Sequence, residues 1–240
     1  MIYKIFPAAL FILISLYSSK KDFTTPLKSE NKAIVTDLNP SSDSNIEITY
    51  NKLNSNQFDL PKLESFKEAL KAFNVLKEKG LVEKKILTLV DFSLSSNAKR
   101  LWVIDLETNT VLYNSLVAHG KNTGEEYANS FSNANSSYKS SLGIYLTGEV
   151  YNGKHGMSLK LDGVEKGIND NARLRGVVLH SANYVSNSFI KYNKRLGRSQ
   201  GCPAIPTELL SGIVNTIKNK SCLFIYHPSR NLEKTSPLFS

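Results

Sequence analysis

The chain is 240 residues long, 41% hydrophobic and 21% charged, ordinary proportions for a globular protein with enough length to bury the core of one domain. Its formal charge of +9 favours anionic partners, although a lysine-rich solvated surface would account for it equally well. There is no arginine-rich run, zinc-finger spacing or aromatic RNA-binding box, so nucleic acid is not an expected partner.

Residues 1–19 begin with Lys4 and an apolar run from Ile5 to Leu16, followed by Tyr17-Ser18-Ser19. The run is short of the ~20 residues a membrane span needs and reads as a secretory signal peptide, with an uncleaved anchor as the alternative. The protein is therefore expected to be exported, periplasmic or at the cell envelope, touching membrane only through such an anchor. No cysteine follows the apolar run, which argues against a lipoprotein.

Residues 20–57 are rich in Ser, Asn, Thr, Asp and Lys without sustained periodicity, the composition of a flexible linker. An N-terminal helix is predicted within 58–82: Asp59 as cap, Pro61 in the first turn, Leu60, Leu63, Phe66, Leu70, Phe73 and Leu76 at helical steps, and Gly80 as the stop. It should pack its apolar side on the following domain, residues 83–228.

Strands dominate that domain. Strands over 85–93 and 100–106 are followed by the turn Glu107-Thr108-Asn109-Thr110 and a returning strand over 111–118, a pattern of antiparallel pairing. A long polar loop runs from His119 to Lys139, of a length that is usually functional or mobile, with His119 a candidate wall of a cleft. Residues 143–148 form a strand leading to the turn Tyr151-Asn152-Gly153-Lys154-His155-Gly156, whose glycines allow close backbone approach to a ligand. Gly176-Val177-Val178-Leu179-His180 reads as a buried strand. Residues 185–196 are expected to form a helix with its aromatics packed inward and its basic edge toward a substrate. Pro206 to Leu210 opens a further helix, residues 222–226 form the closing strand, and 229–240 read as a polar tail. The fold class is mainly β with a few helices.

The chain has two cysteines. Cys222 lies in an apolar strand, where a free cysteine behaves as a small hydrophobe. Cys202 lies in a Ser-Gln-Gly-Cys-Pro turn where nothing apolar asks for it, and His180 stands 22 positions earlier at a strand end. A Cys202–Cys222 disulfide is the alternative use of the pair in an exported chain. Thiolate chemistry needs a nearby base and backbone N–H groups aimed at the developing oxyanion. His180 supplies the base and the N–H groups of Gly201 and Cys202 the donors, while the carbonyl or hydroxyl of Ser181 would fix the imidazole tautomer. His227 is a rival base. His119, His155, His180 and His227 show no H-x-H or HExxH spacing, so neither metal nor cofactor is expected.

Leu179-His180-Ser181 followed by Arg198-Ser199-Gln200-Gly201-Cys202-Pro203 resembles the catalytic motif of the L,D-transpeptidases (YkuD-like), in which a histidine precedes a Ser-His-Gly-Cys box. The wider context is similar to a divergent murein branch from Bacteroidetes-type bacteria. In that branch Ser141-Leu142-Gly143-Ile144-Tyr145 and Gly153-Lys154-His155-Gly156 have close counterparts, and the resemblance covers roughly 86–228. It implies the L,D-transpeptidase catalytic fold and a cysteine acyl-transferase acting on peptidoglycan stem peptides. Such an enzyme forms 3-3 cross-links or trims the terminal D-Ala through a Cys202 thioester, and is a carbapenem target. The resemblance also implies substrate contacts at Arg198, Ser199, Gln200, His155, Gly156 and Tyr145. Gln200 replaces the box histidine, Ala204 replaces a usual polar residue, and the His-to-Cys spacing is a few residues longer. The alternatives are a noncatalytic wall-binding protein that keeps the fold and a cysteine peptidase of other specificity. Oligomeric state is left open.

Overall fold

A computed structural model describes residues 42–153 and 156–239. The expected signal or anchor, the first part of the expected linker, and His155 lie outside the described residues. No helix among the described residues is long and apolar enough to cross a membrane.

Two helices open the described chain, α1 (Ser42–Asn51) and α2 (Leu63–Glu78). In α2, Phe66, Ala69, Leu70, Phe73 and Leu76 form one buried stripe. Its end is a Schellman turn: Gly80 takes φ +66° and donates to the Lys77 carbonyl while Leu81 donates to Leu76. Asp59 does not cap it. The helix starts after Lys62 without a side-chain cap, and the Asp59 carbonyl instead accepts from the Trp102 indole at 2.7 Å.

The segment 42–57, expected to be flexible, is folded. Ile46, Tyr50 and Leu53 recur at helical steps; Ile46 and Leu53 are buried, and the Tyr50 ring lies 5.4 Å from Phe66. The Tyr50 hydroxyl donates to the Pro61 carbonyl, and Asn54 bridges to Thr110 beside the sheet. Three apolar residues in a polar stretch suffice because a ready-made apolar surface on α2 receives them.

Eight strands make one mixed sheet: β1 (Ile86–Asp91), β2 (Leu101–Asp105), β3 (Thr110–Ser115), β4 (Gly143–Gly153), β5 (Gly156–Gly163), β6 (Val178–Ser181), β7 (Ala204–Ile205) and β8 (Cys222–Tyr226). Their order is β3-β2-β1-β8-β4-β5-β6-β7, with β1–β8 and β6–β7 parallel and the other pairs antiparallel. Past the end of β3, Ala118 bridges to Ala204 and Gly120 to Ser199, so the two edges meet and the sheet nearly closes on itself. The fold is therefore mainly β with a few helices, as the sequence implies.

Both faces are covered. Leu87, Leu89, Trp102, Ile104, Ile144 and Phe224 pack with α1 and α2. Val90, Leu101, Val103, Leu179, Leu223 and Ile225 share the other core with Ile213, Val214 and Ile217 of α4 (Thr207–Ile217).

Two further expectations are corrected. The helix expected over 185–196 is α3, only Asn187–Asn193, and buries none of its residues; Tyr192 is 80% exposed. Ser186 caps its start, Lys194 ends it in the left-handed region, and the buried anchors Val185 and Leu196 flank it. The segment expected as a polar tail contains α5 (Leu232–Thr235), with Leu232 buried. Arg230 forks onto the fully buried Glu165 carboxylate at 2.6 and 3.0 Å, and Glu165 also accepts from the Ile144 N–H. That pair ties the C-terminal segment to β4.

Candidate active site

The site grows from the register of β6. Along this strand Leu179 enters the core, while Val178 and His180 face a cavity of about 590 Å³. His180 is opposite Ser158 of β5 and Ala204 of β7. Because β6 and β7 run parallel, Cys202, two residues before Ala204, falls beside Val178, two residues before His180. The Val178 N–H points at the Cys202 sulfur across 3.5 Å. Parallel pairing thus brings residues separated by 22 positions onto one cavity wall.

His180 is 4% exposed, and its Nδ1 lies 2.9 Å from the Ser181 carbonyl. A carbonyl only accepts, so Nδ1 carries the proton and the lone pair of the neutral ring sits on Nε2. The Ser181 backbone, rather than its hydroxyl, is the group that sets this tautomer.

The turn holding Cys202 is braced from both sides. The Ser199 hydroxyl donates to the Cys202 carbonyl at 2.6 Å and accepts from the Gly201 N–H at 3.0 Å. The Ser140 hydroxyl donates to the Gly201 carbonyl, and the Ser199 N–H to the His119 carbonyl. Gly201 has φ +124°, and a Cβ there would stand 2.8 Å from the Lys139 carbonyl, so only glycine fits. Burial pushes the Cys202 thiol up, while the Val178 N–H and the charge of Arg175 pull it back toward ionisation. Cys202 is half-buried, and both cysteines are free thiols.

The model of the L,D-transpeptidase catalytic domain matches residues 59–226, a span that contains α2 and every strand. The chain belongs to the L,D-transpeptidase catalytic-domain family. No curated protein matches it. Among solved structures it is similar to an L,D-transpeptidase from Mycobacterium smegmatis, at 11% identity and TM-score 0.38, covering 60% of this chain and 59% of that one. A complex of the L,D-transpeptidase LdtMt1 with imipenem gives 11% identity and TM-score 0.37 over 60% and 59% of the two chains. The helical cell shape determining protein Pgp2 from Campylobacter jejuni gives 12%, TM-score 0.39, 67% and 56%. The chain thus spans about three fifths of the structures it resembles, and the family assignment rests on the domain match.

Within this L,D-transpeptidase domain the residues singled out in the sequence have different fates. Cys202, His180, Ser199, Gln200 and Arg198 line the cavity together. The Gly201 N–H, expected to meet an oxyanion, is occupied by Ser199; the Cys202 N–H has no partner among the described residues. Ser199, expected to bind substrate, is buried, and its hydroxyl is committed to the turn. Arg198 directs Nη1 at Glu125, Gly124 and Lys121, so its charge is answered within the chain rather than left for a substrate. Tyr145, also expected at the substrate, is fully buried on the core side of β4 with its hydroxyl 2.7 Å from Ser141 Oγ. Gly156 opens β5 outside the cavity lining, and the hairpin reaches the cavity through Tyr151 and Ser158 instead.

Neither other described histidine lines the cavity. His119 is buried, accepts from Arg100 Nη2 on Nδ1 at 2.8 Å and directs Nε2–H to the Gly124 carbonyl. Burial and the Arg100 charge lower its pKa to about 4. His227 lies against Phe131, and its Nδ1 meets Ser229 Oγ at 2.7 Å. The long loop they border is anchored: Ser140 N–H donates to Thr123 Oγ1, and Lys121 N–H to the Ser199 carbonyl.

Sequence reasoning passed over Arg175 and Tyr138, which share the cavity wall with Tyr151, Ser158 and Tyr184. Arg175 had a signal, an arginine and a glycine directly before the strand that carries the base. Among the described residues no cluster of His, Cys, Asp and Glu side chains could hold a metal.

Proposed function

We propose that this L,D-transpeptidase family member is an exported cysteine acyl-transferase that acts on peptidoglycan stem peptides. The observation that carries the reading is His180 on the same cavity wall as Cys202, with its Nδ1 proton held by the Ser181 carbonyl, which puts the basic lone pair on Nε2. His180 Nε2 takes the thiol proton as sulfur attacks the carbonyl that joins the L-centre of the stem's diamino acid to D-Ala. The Cys202 N–H meets the tetrahedral oxyanion. Collapse breaks the C–N bond, the imidazolium returns its proton to the departing D-Ala amine, and an acyl-thioester remains on Cys202. An amine of a neighbouring stem then displaces the thiol to give a 3-3 cross-link, or water does so to give the trimmed stem. With no Asp or Glu among its described lining residues, the cavity suits an acidic peptide.

The test is incubation of the purified chain with disaccharide-tetrapeptide and mass analysis of the products. Cross-linked dimer with release of D-Ala is the expected outcome, tripeptide with D-Ala alone would restrict the enzyme to trimming, and unchanged substrate would contradict the reading.

A further inference from the structure

Among the arginines near the cavity, Arg175 is unusual in what answers its charge. Arg173 is paired with Asp162 and Glu149, and Arg195 and Arg198 share Glu125. Arg175, on the loop before β6, ends its four side-chain hydrogen bonds on neutral oxygens: Ser132 O at 2.9 Å, Ser141 Oγ at 3.2 Å, Ser137 Oγ at 3.3 Å and Lys139 O at 2.6 Å. These bonds fix the guanidinium without neutralising it. It lines the same cavity as Cys202, and its Nη2 lies 3.4 Å from where a Cβ on Gly201 would be.

We propose that Arg175 is a positioning residue for the reaction, a clamped cation whose field favours ionisation of the Cys202 sulfur as His180 takes its proton. Taking Cys202 as the nucleophile is the one point on which this rests on the proposed function. Besides Arg175 and Cys202, the titratable groups among the described lining residues are His180 from β6, Tyr184 after it, Arg198 before the turn, Tyr138 from the long loop and Tyr151 from β4. Among them Arg198 is already paired with Glu125, and Tyr184 is pushed up to about 12 by burial and the sulfur. Among the described lining residues Arg175 is therefore the arginine whose charge no carboxylate meets. The Val178 N–H contributes a dipole to the same sulfur.

Iodoacetamide alkylation of Cys202 as a function of pH, located by peptide mass on the full chain, tests this without any stem peptide. A failure here is thereby separated from a failure of the proposed function. Arg175→Gln should move the alkylation midpoint up by about one pH unit, roughly a tenfold loss of rate below the midpoint. Arg175→Lys keeps the charge but cannot reproduce the four-bond fork, and should stay within about 0.3 unit of wild type. Equal shifts in the Lys and Gln variants, or none in Gln, would overturn the proposal. Should Arg175→Gln not fold, Arg175→Lys decides: a retained midpoint supports the role of charge, and a full-unit shift overturns it. Ser137→Ala loosens the loop and leaves the cation, so a Gln-sized shift there would also overturn it.

Discussion

Between residues 199 and 203 the chain commits the Ser199 and Ser140 hydroxyls and a left-handed glycine to holding one half-buried sulfur on a cavity wall. On β8 the other sulfur stands between Leu87 of β1 and Leu146 of β4, fully buried and packed in the apolar core. The thiol of Cys222 is driven far up by burial and by the charge of Glu165, so it stays protonated and inert. Burial raises Cys202 as well, but there an N–H, a guanidinium and an imidazole surround the sulfur. Under the proposed function, reactivity is made by what stands around the sulfur, because the residue type is the same in both places.

Removing the base should erase most of that difference. His180→Gln is expected to slow acylation of Cys202 by ~10²- to 10⁴-fold, read as the rate of mass-adduct formation, with thermal stability retained. The second largest effect should fall on the β8 side alone. Arg230→Ala leaves the buried Glu165 carboxylate without its cation and should cost about 3–5 kcal/mol in urea unfolding. Folded protein below its midpoint should still acylate, since neither residue lines the cavity.

The buried His119 gives the turn an acid limit. Its folded pKa of about 4 lies below the ordinary 6.5, so between those values the unfolded chain binds the extra proton. Its contribution is complete above pH 6.5 and is lost as pH falls toward 4, by about 3 kcal/mol. His119→Gln should flatten that limb in pH-dependent melting. The smallest effect belongs to Cys222→Ala, which should lower stability by about 1 kcal/mol and leave the acylation rate unchanged.

The α2 stripe, most strands and the separate settings of the two cysteines were legible because periodicity and turn chemistry act locally. What brings His180 to Cys202 was not, since a parallel register between β6 and a two-residue β7 leaves no periodic trace. Tyr145 was misplaced because β4 is covered on both faces there: Ile144 and Tyr145 are both buried, and alternation cannot distinguish core from cavity. The folding of 42–57 and of the C-terminal segment depends on a few residues, Ile46, Tyr50 and Leu53 in the one and Arg230 and Leu232 in the other, whose partners lie in other elements. Likewise the committed donors of Arg198 and Ser199 become visible only once the long loop and the turn are in place.

The central claim is that Cys202 is an activated nucleophile in this cavity. Its most direct test is the intact mass of the purified chain after mixing with a carbapenem, whose strained amide opens to a thioester under thiolate attack, beside Cys202→Ala. The account predicts one adduct per wild-type chain, none on Cys202→Ala, and a full adduct on Cys222→Ala. A reduced, folded wild-type chain that takes up no carbapenem would contradict it.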